Sequence, residues 1–147
     1  MLFFRKGKIM GKKKLGRKTV IFGSRGINSL EIIEKAIEQS GFEISEVVSG
    51  CCKNSPDEVG EQWAEKNGIK VKQFPAKWDD IKAKGAVVKT NNYGKEYNAK
   101  AGFDRNTQMA EYGEQGIGII QTEGSPGSEH MAEELKKLNK QVYIFYC

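Results

Sequence analysis

Two short turns rich in glycine and serine carry the residues best suited to chemistry: Gly23-Ser24-Arg25 and Gly124-Ser125-Pro126-Gly127-Ser128. The first follows the apolar run Lys18-Thr19-Val20-Ile21-Phe22, and the second follows Gly118-Ile119-Ile120-Gln121. Each therefore stands where a buried strand hands over to a helix. The first N–H groups of a helix have no partner inside it, and the aligned peptide dipoles favour negative charge there. Glycine lets the backbone approach an anion, serine adds a hydroxyl donor, and arginine pairs bidentately with phosphate. Two such turns in one small chain predict a site for a phosphorylated ligand. Helix capping is the plainer role for Ser125 with Pro126 behind it, and it is compatible with anion binding.

Three further positions extend that site. Arg105 and Asn106 follow Gly102 at the expected start of a third helix, where Arg105 would hold a second phosphate and Asn106 a ribose or base. Asp57 falls in the first turn of a second helix. An acid there suits ribose hydroxyls, and the helix dipole alone also favours it. Trp78, after Pro75-Ala76-Lys77, offers a face for a base, whereas Trp63, Phe74 and Tyr112 read as core aromatics. His130 is the only histidine and Cys51-Cys52 lacks ligand spacing, so neither a metal nor a cofactor is expected. A Ser-His-acid triad would need a group to orient His130 beside Ser128, and the local sequence offers none. Glu123 and Glu129 are the acids nearest the second turn, and Glu129 is the weak candidate for a catalytic carboxylate.

The elements that must position these groups alternate along the chain. Residues 18–23 read as a strand, and Asn28 or Ser29 opens a helix carrying Leu30, Ile33 and Ile37, stopped by Gly41. Glu46 to Ser49 is a second strand, Ser55-Pro56 opens a helix reaching Asn67-Gly68, and Ile69 to Phe74 is a third strand. Residues 101–112 read as a helix, 116–121 as a strand, and Ser125 or Ser128 opens a last helix before a strand over 141–146. Five strands alternating with four helices predict an α/β fold, a doubly wound parallel sheet with helices on both faces. Its ligand crevice belongs at the carboxyl ends of the strands. The lysine- and asparagine-rich stretch 79–100 reads as a loop or small excursion, long enough to act as a lid.

The chain of 147 residues is long enough for one domain that buries roughly 70% of its unfolded surface, without disulfides or metal. Of its 24 basic residues, eight (Arg5, Lys6, Lys8, Lys12, Lys13, Lys14, Arg17 and Lys18) precede Thr19. That leaves 16 against 19 acidic ones, a body three charges negative. The division expected is a flexible basic leader over 1–17 and a single domain over 18–147, with Met10 as an alternative start. The leader gives weak nucleic-acid contact at most. No apolar run is long enough to cross a membrane and the start is a poor secretion signal. Three cysteines, two of them adjacent, make a poor disulfide framework, which points to the reducing cytoplasm.

Five fragments stand in order: Gly23-Ser24-Arg25; Ser49-Gly50 followed by Asp57; Trp63-Ala64 with Phe74-Pro75-Ala76-Lys77-Trp78; Ala101-Gly102-Phe103-Asp104-Arg105-Asn106 with Met109; and Gly124-Ser125-Pro126-Gly127-Ser128-Glu129-His130-Met131. Their order resembles the SLOG superfamily of Rossmann-like nucleotide-binding proteins, nearest to a branch of small bacterial and phage proteins. The resemblance covers about residues 18–146. It implies a Rossmann-like fold and a nucleotide-derived or ADP-ribose-like ligand, bound for sensing or sequestering a signal, with Gly50 added to the ligand-binding set. It also brings two alternatives. Lonely-guy phosphoribohydrolases cut a base from a nucleoside monophosphate, and DNA-processing protein A binds single-stranded DNA. The lonely-guy enzymes carry a glutamate three residues after a Gly-Thr pair. Three residues after Ser128 this chain has Met131, which counts against base cleavage. Relatives often pair through helix faces, so a homo-oligomer is an open expectation. The chain departs from its branch in the loop Gly50 to Asp57, where cysteines and asparagine stand in place of small residues.

Overall fold

The computed structural model describes residues 16–121 and 124–147. Most of the basic leader, Met10 and Glu123 lie outside the described residues. Strand β1 (Arg17–Gly23) starts within the stretch assigned to the leader, because Arg17 already pairs with Ile44. Its sequence is apolar on both faces: Ile21 points into one core, Val20 and Phe22 into the other. That is the pattern of a strand covered on both sides. Helix α1 (Leu30–Ser40), strand β2 (Ile44–Ser49), helix α2 (Pro56–Lys66) and strand β3 (Lys70–Gln73) follow. After an excursion come helix α3 (Ala101–Tyr112), strand β6 (Gln115–Ile120), helix α4 (Pro126–Lys137) and strand β7 (Gln141–Tyr146).

The five strands form one parallel sheet in the order β3-β2-β1-β6-β7, as expected from the alternation. Helices α1 and α2 cover one face around Ile21, Ile33, Val47, Val59 and Ile117. Helices α3 and α4 cover the other around Phe22, Val48, Met109, Met131 and Leu135. Strand β6 alternates Ile117 and Ile119 toward α1 with Gly116 and Gly118 toward α4. A methyl at Gly118 would come within 2.7 Å of the Phe22 ring, so the glycines leave the space that this ring occupies. Truncating Phe22 to alanine would open that space and cost about 3–5 kcal/mol.

The excursion is folded, not an open loop. It contains a two-stranded antiparallel hairpin, β4 (Val88–Thr90) with β5 (Glu96–Asn98). One buried side chain holds it: Asn98, 4% exposed, accepts at Oδ1 from Val87 N (3.2 Å) and Lys100 N (3.0 Å), and its Nδ2 donates to Asp80 O (3.2 Å). Strands of three residues carry no periodicity long enough to read from sequence. Among the described residues no helix is long and apolar enough to cross a membrane.

The chain steps from β1 outward through β2 and β3, then returns to place β6 on the other side of β1. The carboxyl ends of β1 and β6 thus flank the switch point, where flanking connections diverge and leave a crevice.

Candidate functional site

A cleft of about 490 Å³ opens over that switch point. Its walls contain Gly23, Ser24 and Arg25 from the first turn, and Gly124, Ser125, Gly127 and Ser128 from the second. Asp57, Arg105 and Asn106 also line it. Gly50 lies just behind, against Arg105 and Asp57, and Glu129 is not on the wall.

The first turn is a staple between strands. Ser24 N donates to Ile119 O (3.0 Å), and Ser24 Oγ accepts from Gln121 N (3.0 Å). A methyl at Gly23 would sit 2.6 Å from Pro56 Cγ and run into Ile119 O, so the strand ends close only with glycine there. Arg25 is exposed beside this staple. Helix α1 begins later, at Leu30, and its end is closed by Ser29, whose Oγ accepts from Ile32 N (3.4 Å). Helix α2 is closed likewise: Ser55 Oγ accepts from Asp57 N (3.1 Å) and donates to Cys52 O (2.6 Å).

The second turn is built differently. Gly124 takes φ +97°, a conformation that disfavours any side chain. Ser125 is the N-cap of α4 yet makes no cap bond: its Oγ donates instead to Ser128 Oγ (3.1 Å). Glu129 Oε2 accepts from Ser125 N (3.3 Å), so the candidate catalytic carboxylate is turned onto its own helix end. The N–H groups of Gly127 and Ser128 donate to none of the described residues. Helix α3 is also uncapped by a side chain, and Ala101, Gly102 and Phe103 leave their N–H groups equally free among the described residues.

Arg105 lies one turn inside α3, not at its start. Its Nη1 donates to Gly50 O and Phe74 O, and its Nε to Asn106 Oδ1 (3.1 Å). The guanidinium thus ties the β2–α2 loop and the end of β3 to α3, and Nη2 is what remains for a ligand. Asn106 is buried and passes the connection on: Nδ2 donates to Gly127 O (3.2 Å) and lies 3.2 Å from His130 Nδ1. Because Arg105 occupies the amide oxygen, the amide must donate, so His130 accepts at Nδ1 and carries its proton at Nε2. The structure therefore corrects the expectation that nothing orients His130. Asn106 fixes one ring nitrogen, Glu134 Oε2 lies 3.8 Å from the other, and Phe103 packs edge-on at 4.5 Å. His130 sits in the α3–α4 seam and not on the cleft wall.

Asp57 is 6% exposed, and its Oδ2 accepts from Cys52 N (3.3 Å). Burial pushes its carboxyl up to about 6, against the pull of the Cys52 amide and the Arg105 charge. Gly50 is the residue that permits this packing. A methyl there would lie 2.7 Å from Arg105 Nη1 and 2.8 Å from Asp57 Oδ2. Burial, with Glu61 and Asp57 nearby, likewise raises the Cys51 thiol, which leaves it unactivated.

Sequence reasoning missed Gly102 and Phe103, which line the cleft beside Trp78. The indole lies over Gly102, where a methyl would meet Trp78 Cη2 at 2.8 Å, and Trp78 stands edge-on to Tyr97 at 6.3 Å. No local sequence signal marks them, because the pairing of Gly102 with Trp78 exists only in the folded chain. Among the described residues no group of His, Cys, Asp and Glu could hold a metal ion. The arrangement offers free amide donors for an anion, an aromatic wall for a planar group and one buried carboxylate. No protein-family model matches this chain, and no curated protein or solved structure matches it.

Proposed function

We propose that this domain binds a nucleotide-derived ligand in the switch-point cleft, phosphate on the open end of α4 and base along Trp78 and Phe103. The observation that carries the reading is the contrast among helix ends. The α1 and α2 ends each carry a serine side-chain cap, on Ile32 N and Asp57 N, whereas the α3 and α4 ends have none and turn their unpaired first amides toward the cleft among the described residues. Unpaired amides at a helix start attract anions, and Arg25 adds the charge. The resemblance of the five ordered fragments to the SLOG superfamily supports the same ligand class, including ADP-ribose-like molecules. The role is sensing or sequestering such a molecule. Binding without turnover is favoured because the Glu129 carboxylate is engaged with Ser125 N.

The test is a thermal shift of the purified protein against mononucleotides, cyclic dinucleotides, NAD and ADP-ribose. A ligand at 100 times its Kd stabilises by about 2.7 kcal/mol, which moves a domain of this size by several degrees. The expected result is a shift with one ligand class that is lost in Arg25→Ala and Ser128→Ala, with the ligand recovered intact. No shift with any of them would overturn the reading and leave single-stranded nucleic acid, held by the basic leader, as the alternative.

A further inference from the structure

Among the described residues Asp57 is the one carboxyl group lining a cleft otherwise suited to an anion. It is 6% exposed, lines the cleft and spends Oδ2 on Cys52 N. Oδ1 accepts a hydrogen bond from none of the described residues. A buried carboxylate oxygen without a donor is costly, so such a group marks a place where a ligand supplies one. Arg105 is not that donor: its Nη1 and Nε are committed to Gly50 O, Phe74 O and Asn106 Oδ1, and it forms no ion pair with Asp57 within 4.0 Å. A phosphate is not the missing donor either: its ionised oxygens have no proton to give, and next to an ionised carboxylate they repel it.

If the proposed function holds, the phosphate and the base are already placed, on α4 and along Trp78 and Phe103. What is left of a nucleotide is its sugar, whose strong donors are hydroxyls. We infer that the cleft selects ribonucleotides over 2′-deoxyribonucleotides, with Asp57 Oδ1 accepting from the 2′-hydroxyl. The inference rests on the binding reading above and adds the sugar class to it. The carboxylate is held for the task by the Cys52 amide on one side and the space left by Gly50 on the other.

The experiment is calorimetric titration of the full chain with matched pairs, each of AMP, GMP, CMP and UMP against its 2′-deoxy form. A hydrogen bond to a charged acceptor sets the expected gap at about tenfold or more in favour of the ribose form. Asp57→Asn should bring the pairs to within about threefold, with little change for the deoxy forms. The groups facing Asp57 are Arg105 from α3, Glu61 from its own helix, and Cys51 and Cys52 from the loop. The ionised carboxylate is the better acceptor, so the wild-type ratio should grow between pH 5 and pH 8, through the Asp57 midpoint at about 6. The phosphate titrates alike in both members of a pair and drops out of the ratio. If Asp57→Asn does not fold, the wild-type ratio and its pH dependence decide alone. Equal binding of ribose and deoxyribose forms overturns this inference and leaves the binding reading standing. A ribose preference that survives in a folded Asp57→Asn protein overturns Asp57 as the selector. Binding of neither form overturns this inference, and the binding reading then stands or falls on the NAD, ADP-ribose and cyclic-dinucleotide arms of the thermal shift.

Discussion

Two helices of this domain open with the same dipeptide, Ser55-Pro56 on α2 and Ser125-Pro126 on α4, and the two ends are built in opposite ways. Ser55 is fully buried and closes its helix, accepting from Asp57 N and donating to Cys52 O. Ser125 turns its hydroxyl to Ser128 and leaves the first amides of α4 open. The backbone explains the difference: ψ is 171° at Ser55 and 95° at Ser125, where Gly124 at φ +97° has already bent the chain. A capped end stabilises the fold on its own, whereas an open end holds donors in reserve for something outside the chain. The lesson is that a helix-start signature fixes where a helix begins and not what its amides bind.

The largest expected effect tests the capped end through Asp57. The helix dipole favours an acid in the first turn, yet desolvation outweighs it and raises the carboxyl from 3.8 to about 6. The folded protein therefore holds this proton where the unfolded chain has lost it. The stability it contributes is fully present below pH 3.8 and is lost as pH rises through about 6. That loss approaches about 3 kcal/mol, and Asp57→Asn should lack it. Urea unfolding of both proteins from pH 4 to pH 7.5 measures the difference, and parallel curves would show that Asp57 is not desolvated.

The serines themselves come next. Ser55→Ala leaves Asp57 N and Cys52 O without a partner in a buried place and should cost about 2 kcal/mol. Ser125→Ala removes no cap bond and should stay within about 0.5 kcal/mol. Equal losses at the two positions would erase the contrast. A sharper version places a carboxylate at the open end. Ser125→Asp should stabilise the unliganded protein by about 1 kcal/mol by capping α4, while it weakens nucleotide binding at least tenfold by occupying the same amides. A stabilised variant that still binds would separate the ligand site from the α4 end. The smallest effect is at Gly102, where alanine gains helix propensity but presses on the far edge of Trp78. Stability should change by under about 1 kcal/mol, and the reading is the quenching of tryptophan fluorescence by bound nucleotide, which should fall.

Much of the frame was legible because it depends on short-range patterns. Val20-Ile21-Phe22 is apolar at every position, as a strand covered on both faces must be, and Gly41 stops α1 in the left-handed conformation that glycine tolerates. The two turns were legible as strand ends because glycine and serine break the apolar run of the strand before them. The hairpin at Val88–Thr90 and Glu96–Asn98 was not, since three residues carry no period and the side-chain hydrogen bonds that hold it come from two asparagines, Asn91 in its turn and Asn98 at its end. Arg105 lines the cleft where the sequence expected it, and the structure adds a second occupation. Its charge suggested a phosphate, and its Nη1 also answers carbonyls 55 and 31 residues away along the chain.

By itself the sequence determined the order of the five sheet strands and four helices, the apolar faces that force a covered parallel sheet, and the positions at which helices can start. Those are consequences of local periodicity and of the backbone freedom of single residues. Only the tertiary structure decided which helix ends stay open, that His130 is held by Asn106, and that Asp57 is buried with one oxygen unsatisfied among the described residues. Hydrogen-bond partners and desolvation depend on what lies across space, and residues such as Gly50, Arg105 and Gly127 meet only once the sheet has closed.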